Sequence, residues 1–419
     1  MNKTQLFIYT PLNPEKTGIS DYSEELISYL AKNNRVDIIS VIRKGYVPLP
    51  KSKLGKIITI DKLHKFNNNR RNLFQIGNNK YHMFMIPILK KESGIVVLHD
   101  INLAKLNYLY YKNKFILLAK IIHSHGIFLS FYILKMLYFR LVTRFAVQFR
   151  KNDLAIKCVK EFYQNLAKFT MIKEMVNLSK GVIVHNKYAY SYVNKICPQK
   201  SIALIRHGIK LSASYDKRKI RKKLKIPLNS FVILSAGFVD KHKKIDYALH
   251  AFKQFLKINK GALYIIVGQL SDRFNISSII NNLGVKNNVR LTGYVNFSAF
   301  NDYIRASDIC INLRHYGTQG ETSGSLLRMM SLGKPVLISN FNQYSEYPNN
   351  TCVKIGLGSH KEEINWIYNA IVRLYQHPDK RKKIGGSAKK YIRKFHGWHK
   401  ITKEYVEFVS KCYNQTYRL

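Results

Sequence analysis

Between Ser307 and Ser339 the chain reads SDICINLRHYGTQGETSGSLLRMMSLGKPVLIS, two short apolar runs joined by a polar, glycine-rich loop and a helical stretch. Ile309 to Leu313 has the length and composition of a buried strand. Ser325 to Leu332 reads as a helix that Gly333 ends, and Pro335 to Ile338 resumes as a second strand. The segment is therefore a strand–loop–helix–strand unit. Its loop sets Glu321, Thr322, Ser323 and Gly324 where a helix N-terminus exposes unpaired N–H groups. Small residues at that point let a phosphate approach the backbone. An ordinary βαβ connection would show the same pattern, so the motif alone leaves both readings open.

The same alternation runs through the chain. Leu6 to Tyr9, Val36 to Val41, Lys56 to Ile60, Met83 to Ile86, Ile95 to Leu98 and Val182 to Val184 read as strands of the first half. A helix with Tyr22, Leu26, Ile27 and Leu30 on one stripe follows the loop PLNPEKTG, with Asp21 as its expected cap and Glu24 three residues on. Phe231 to Ser235, Leu263 to Val267, Val289 to Leu291, Ile309 to Leu313 and Val336 to Ile338 repeat the scheme in the second half. A helix bearing Leu249, Phe252 and Leu256 lies between the first two of these. Strands alternating with helices imply an α/β chain with parallel, doubly wound sheets. No short internal repeat is present. The expected division is 1–205, 206–390 and a C-terminal helical segment 391–419, with SIALIRHGI (201–209) at the crossing.

A chain of 419 residues with 46% hydrophobic content has room for more than one domain and is not a disordered protein. Seventy Lys and Arg against 24 Asp and Glu leave a formal charge of +46, which calls for an anionic partner, either nucleic acid or anionic lipid. The charge is dispersed, with one dense cluster at KRKIRKKLK (217–225) and no nucleic-acid-binding motif, so nucleic acid is not the expected partner. Five scattered cysteines without a CxxC fit a reducing compartment and argue against a disulfide scaffold or a zinc site. His123 and His125 have no acid or thiol nearby and read as helix histidines rather than metal ligands. The N-terminal MNKTQLFIYTPLNP lacks the apolar core of a signal peptide.

Residues 105–168 differ in character, with aromatic and aliphatic side chains interleaved with Lys and Arg. Lys120, His123, His125 and Lys135 interrupt any run of the roughly 20 apolar residues a spanning helix needs. The segment reads as an amphipathic helix pair at an anionic membrane surface, as helices packed on the first sheet, or as both.

GETSGSLLRMMSLGKPV, read together with PLNPEKTGISDYSEEL (11–26), FQIGNNKYH (74–82), VVLHD (96–100), RHGI (206–209), AGFVDKHKKID (236–246) and LTGYV (291–295), resembles family 4 of the glycosyltransferases. That resemblance implies the GT-B fold, two Rossmann-like domains facing a cleft, the first on the acceptor side and the second binding the nucleotide sugar. It implies a retaining hexosyltransferase that moves sugar from a nucleoside-diphosphate sugar to a glycan or lipid-linked acceptor in envelope polysaccharide biosynthesis. The segment 391–419 would then cross back to the first domain. The expected location is cytoplasmic, peripherally on the inner face of the membrane.

Such a transfer must neutralise a developing diphosphate, hold the sugar and bring an acceptor oxygen to the anomeric carbon. A site rich in Lys, Arg and helix-terminal N–H groups can do the first without metal, so no metal and no cofactor is expected beyond the donor substrate. The resemblance assigns Gly237 and Lys243 to the diphosphate loop, but Phe238 stands where the family carries Arg. Lys241, Lys244 or Arg314 could supply the missing charge. Glu321 is the donor-sugar candidate, with Thr322, Ser323 and Gly324 at the phosphates. The family's second Glu is missing: Met329 follows Glu321 by eight residues, and aligning on GKP puts Gly320 and Arg328 in the two Glu places. Glu346 is an alternative nucleotide contact. His99 ends the strand Ile95 to Leu98, where ligands of open α/β sheets sit, and the resemblance gives it the sugar or acceptor hydroxyl. Gly18 would allow close backbone approach, and GNN (77–79) resembles an acceptor-side turn.

Other readings are a basic nucleic-acid-binding protein, or another GT-B activity such as a nucleotide-sugar epimerase or a phosphorylase. A nicotinamide dehydrogenase is disfavoured because no G-x-G-x-x-G follows the first strand.

Overall fold

A computed structural model describes residues 4–414 except 16, 33–35, 47, 49–53, 67–69, 126–129, 150–153, 155–157, 159–160, 163–164, 167, 212–213, 273 and 317–319. Two compact units emerge. The first comprises Met1–Arg206, Gln319–Thr322 and Thr402–Leu419, and the second His207–Thr318 and Ser323–Ile401.

In the first unit, β1 (Thr4–Tyr9), β2 (Val36–Ile42), β3 (Lys56–Thr59), β4 (Arg71–Ile76), β5 (Ile95–Leu98), β6 (Gly181–Val184) and β7 (Ile202–Leu204) form one sheet. Its order is β3-β2-β1-β4-β5-β6-β7, and every pairing is parallel. In the second unit, β8 (Val232–Ala236), β9 (Leu263–Val267), β10 (Val289–Leu291), β11 (Ile309–Asn312), β12 (Val336–Ser339) and β13 (Val353–Ile355) are ordered β10-β9-β8-β11-β12-β13, again all parallel. Both orders reverse direction beside the unit's first strand. The reversal lies between β1 and β4 in one sheet and between β8 and β11 in the other. Loops leaving the carboxyl ends of strands at such a switch point diverge and leave a crevice.

Parallel strands covered on both faces read as continuous apolar runs because neither face meets water. β8 illustrates this. Ile233 packs with Leu249, Phe252 and Tyr264 on one side of the sheet, and Val232 and Leu234 pack with Leu326, Met329 and Ile338 on the other. Each such fully buried side chain contributes about 1.5–3 kcal/mol relative to exposure.

Two readings of local structure need correction. Met83 to Ile86 is not a strand: the helix Met85–Lys91 begins there, after the short turn Lys80–His82. A short apolar run fits a buried helix as well as a buried strand, and Pro87 near the start is tolerated where N–H groups lack helical partners anyway. The strand in that region is β4, upstream. Likewise Asp21 does not cap the helix Gly18–Leu30. Thr17 does, accepting from the Ile19 N–H at 3.4 Å, and Asp21 lies in the first turn. Asn13 ties that turn to its loop, its Nδ2 donating to Asp21 Oδ1 at 3.0 Å and its N–H to Glu24 Oε1 at 2.9 Å.

Candidate functional site

In the second unit, β8 ends at Ala236 and passes into Gly237, whose φ of 111° lies where L side chains are strained. A Cβ there would meet Lys243 Nζ at 2.5 Å, so the missing side chain leaves the space the ammonium occupies. Lys243 closes the turn Lys241–Lys243, which Asp240 caps. Hydrogen bonding to His242 pulls the Asp240 carboxyl down to about 2 and keeps the cap charged.

The next residue turns away. Lys244 is left-handed (φ 50°) and buried, and its ammonium is paired with Glu363 inside the unit. Lys244 is thereby removed from the candidates for the charge missing at Phe238, which is itself half exposed.

Arg314 remains in place. It follows β11 across the switch from Gly237, and it is buried. Its backbone N–H donates to Ser339 Oγ at 2.9 Å, and that hydroxyl donates back to Arg314 O at 2.9 Å. The guanidinium donates to Leu313 O at 2.8 Å and to Ser323 Oγ at 3.3 Å. Ser323 is the N-cap of the helix Gly324–Ser331, accepting from the Leu326 N–H at 3.3 Å. Asn312 completes the network, accepting from Ser323 Oγ at 3.3 Å and donating to Ser325 Oγ at 3.1 Å. Gly237, Lys243, Asn312 and Arg314 line one open recess of about 230 Å³. Gly324 leaves room at the helix start, where a Cβ would come only within 3.9 Å of the His207 ring.

Two motif residues lie elsewhere. Lys334 of GKP is buried and donates to Arg305 O at 2.8 Å and Ser307 O at 2.7 Å, a cap for the end of the helix Phe297–Ala306; burial pulls its amine down to about 7. Glu346 ends the turn Asn342–Glu346, half-buried, and is not among the residues lining the recess. Arg328, in one of the places where the family carries Glu, stacks its guanidinium 4.1 Å from the Phe297 ring centre.

In the first unit, His99 and Asp100 leave the carboxyl end of β5. The His99 N–H donates to Ile76 O at 3.0 Å, its Nε2 lies 2.7 Å from Gln75 Oε1, and its ring packs against Tyr22 and His185. Tyr22 is held in turn by Tyr405 at 2.8 Å between hydroxyls. The Asn78 N–H donates to Asp100 Oδ2 at 2.9 Å. Burial, and secondly the negative charge of Glu321, push the Asp100 carboxyl up to about 7.

Glu321 belongs to the segment that groups with this unit. Asn186 holds that segment, donating from Nδ2 to Gly320 O at 2.7 Å and to Thr322 Oγ1 at 3.1 Å while its Oδ1 caps the helix Lys187–Ile196. A Cβ on Gly320 would meet Ile101 Cγ1 at 2.8 Å, so the loop comes close there only as glycine. Asn186 escaped the sequence reading; the signal was an Asn two residues past a buried strand and directly before a helix. Gly18 is the first residue of its helix, with open space where its Cβ would be. Among the described residues, no group of three or more His, Cys, Asp or Glu is arranged to hold a metal ion.

Residues 216–391, which lie in the second unit apart from 319–322, match the family model Glycosyl transferases group 1. That stretch belongs to the group 1 glycosyltransferases. The chain is 26% identical over 267 residues to the uncharacterized glycosyltransferase MJ1069 of Methanocaldococcus jannaschii, a stretch covering 62% of this chain and 66% of the relative. MJ1607 of the same organism is 23% identical over 225 residues, 50% of this chain and 54% of the relative. The matched stretches thus span just under two thirds and about half of these relatives. Among solved structures, sucrose-phosphate synthase from Thermosynechococcus elongatus superposes with a TM-score of 0.69 at 14% identity, covering 99% of this chain and 100% of that one. HepE of Anabaena, in complex with UDP-glucose, superposes with a TM-score of 0.63 at 14% identity, covering 97% and 99%. The fold of the chain is therefore GT-B.

Proposed function

We propose that this chain transfers a sugar from a nucleoside-diphosphate sugar to a hydroxyl of a glycan or lipid-linked acceptor. The observation that carries the reading is the Lys243 ammonium seated over Gly237, in one recess with Arg314 and beside the N-terminus of the helix Gly324–Ser331. Two cations and a helix N-terminus form a site for a diphosphate, and their charge needs no metal to offset it. HepE, which shares this fold, is known in complex with UDP-glucose, and this supports a donor of that class.

In the reaction, the acceptor oxygen bonds to the anomeric carbon as the bond to the diphosphate oxygen breaks. The leaving diphosphate carries off the electron pair and takes up the proton the acceptor hydroxyl loses, and Lys243 and Arg314 stabilise the charge it gains. Glu321 is assigned to the donor sugar and His99 to the sugar or acceptor hydroxyl. Retention of configuration, a hexose donor and a role in envelope polysaccharide synthesis rest on the family 4 resemblance of the GETSG loop. Arg314 takes the place of the family Arg that Phe238 does not supply.

The test is a thermal-shift panel of nucleoside diphosphates and their sugars, since a ligand bound only by the folded state raises its stability. The reading requires one nucleoside diphosphate to raise the melting temperature, and Lys243→Ala to suppress that rise. No shift with any member, or a shift unaltered in the variant, overturns it.

A further inference from the structure

The helix Ser130–Gln148 is apolar on two sides. Met136 packs in a cluster with Leu117, Ile121 and Phe169, and Ala146 is fully buried, so one side is anchored within the first unit. The other side carries Tyr138, Leu141, Phe145 and Phe149, exposed by 60%, 65%, 57% and 54%. Their spacings of three, four and four residues place them on one stripe of the helix. The Phe149 N–H donates to Phe145 O at 3.0 Å, which continues the helical turn, and the two rings lie 4.3 Å apart. On the preceding helix Lys114–His125, Phe115 is 83% exposed.

A contiguous run of large apolar side chains in water marks an interaction surface. Its charge identifies the occupant. No Asp or Glu stands between Asp100 and Asp153, whereas Lys135 and Arg144 are exposed on the same helix as the stripe, and the whole chain carries +46. Among the described residues no helix is long and apolar enough to cross a membrane. We propose that the helix Ser130–Gln148 lies in the plane of an anionic lipid bilayer. Tyr138, Leu141, Phe145 and Phe149 enter the boundary between headgroups and acyl chains, and Lys135 and Arg144 meet the acidic headgroups. A lipid boundary accepts aromatic and aliphatic side chains without complementary hydrogen bonds, and its negative potential attracts the cations beside them. This inference stands apart from sugar transfer, because docking needs neither donor nor acceptor.

Vesicle flotation of the full chain tests it. Phosphatidylcholine vesicles are compared with vesicles that also contain phosphatidylglycerol, across a sodium chloride series. With each near-surface cation worth about 1 kcal/mol, the wild type should favour the anionic vesicles by about tenfold or more. Salt should weaken binding without abolishing it, since the apolar part is not screened. Leu141→Ser combined with Phe145→Ser should lower partitioning about tenfold or more and leave the melting temperature unchanged, because both side chains are exposed. Equal binding to both vesicle types, no binding to either, or unaltered binding by the double variant overturns the proposal. So does light scattering that shows a wild-type dimer abolished by the double variant, since the stripe would then belong to a second copy.

Discussion

The Lys243 ammonium occupies the place a side chain at Gly237 would take, 2.5 Å from where that Cβ would stand. Glycine at 237 and lysine at 243 therefore act as one unit. The left-handed backbone at 237 bends the chain out of the sheet, and the absent side chain admits the cation to the strand end.

Gly237→Ala should consequently do two separable things. The strained φ should destabilise the second unit by about 1–3 kcal/mol, measurable as a lower urea midpoint. The displaced Lys243 should also weaken nucleoside-diphosphate binding, measured by calorimetry well below the melting temperature. An unchanged dissociation constant would separate the glycine from the site.

Lys243→Ala should raise the dissociation constant for a nucleoside diphosphate about tenfold to a hundredfold, the worth of one lost hydrogen bond to a charged group. Transfer activity should be insensitive to EDTA. Activity restored only by added magnesium would contradict metal-free charge neutralisation.

Arg314→Lys should behave as a loss, although charge is kept. Lysine cannot bond Leu313 O and Ser323 Oγ together as the guanidinium fork does. Diphosphate affinity should fall nearly as far as in Arg314→Ala. Wild-type affinity in Arg314→Lys would mean that only the charge matters.

Asp100 should leave a mark on stability against pH. Its carboxyl is raised from an ordinary 3.8 to about 7, so the folded state holds a proton that the unfolded chain releases. The stability it contributes is fully present below about pH 4 and is lost as pH rises through about 7. Asp100→Asn, permanently neutral, should remove that decline and be the more stable protein above neutrality. Denaturant midpoints between these limits test it, and parallel pH profiles for the two proteins would refute the shifted carboxyl.

Glu321→Gln joins the two arguments. Its turnover should fall by about two orders of magnitude, as for lost transition-state stabilisation of roughly 3 kcal/mol. Removal of its charge should also let Asp100 titrate at lower pH, moving the decline in stability the same way. A variant that turns over normally would detach Glu321 from the chemistry, and an unmoved stability profile would detach it from Asp100.

Much of this was legible in the sequence because periodicity and punctuation are local. Apolar runs of strand length, separated by helical stripes and closed by glycines, imply parallel doubly wound sheets before any contact is known. Gly237 and His99 sit where strands end and Ser323 where a helix begins, and such boundaries were readable. Tertiary structure decided what pairing and burial control. Met85–Lys91 is a helix because its neighbours bury it as one, whereas its apolar run fitted either form. Lys244 and Lys334 are spent on Glu363 and on backbone carbonyls, while the sequence-adjacent Lys243 reaches the recess. Arg314 shares a recess with Gly237 because β11 pairs with β8 in the sheet, and its guanidinium meets the helix cap Ser323 nine residues on. Asn186 reaches Gly320 across 134 residues of chain. Local sequence specifies which backbone groups need partners, and only the folded chain specifies which distant side chains arrive to meet them.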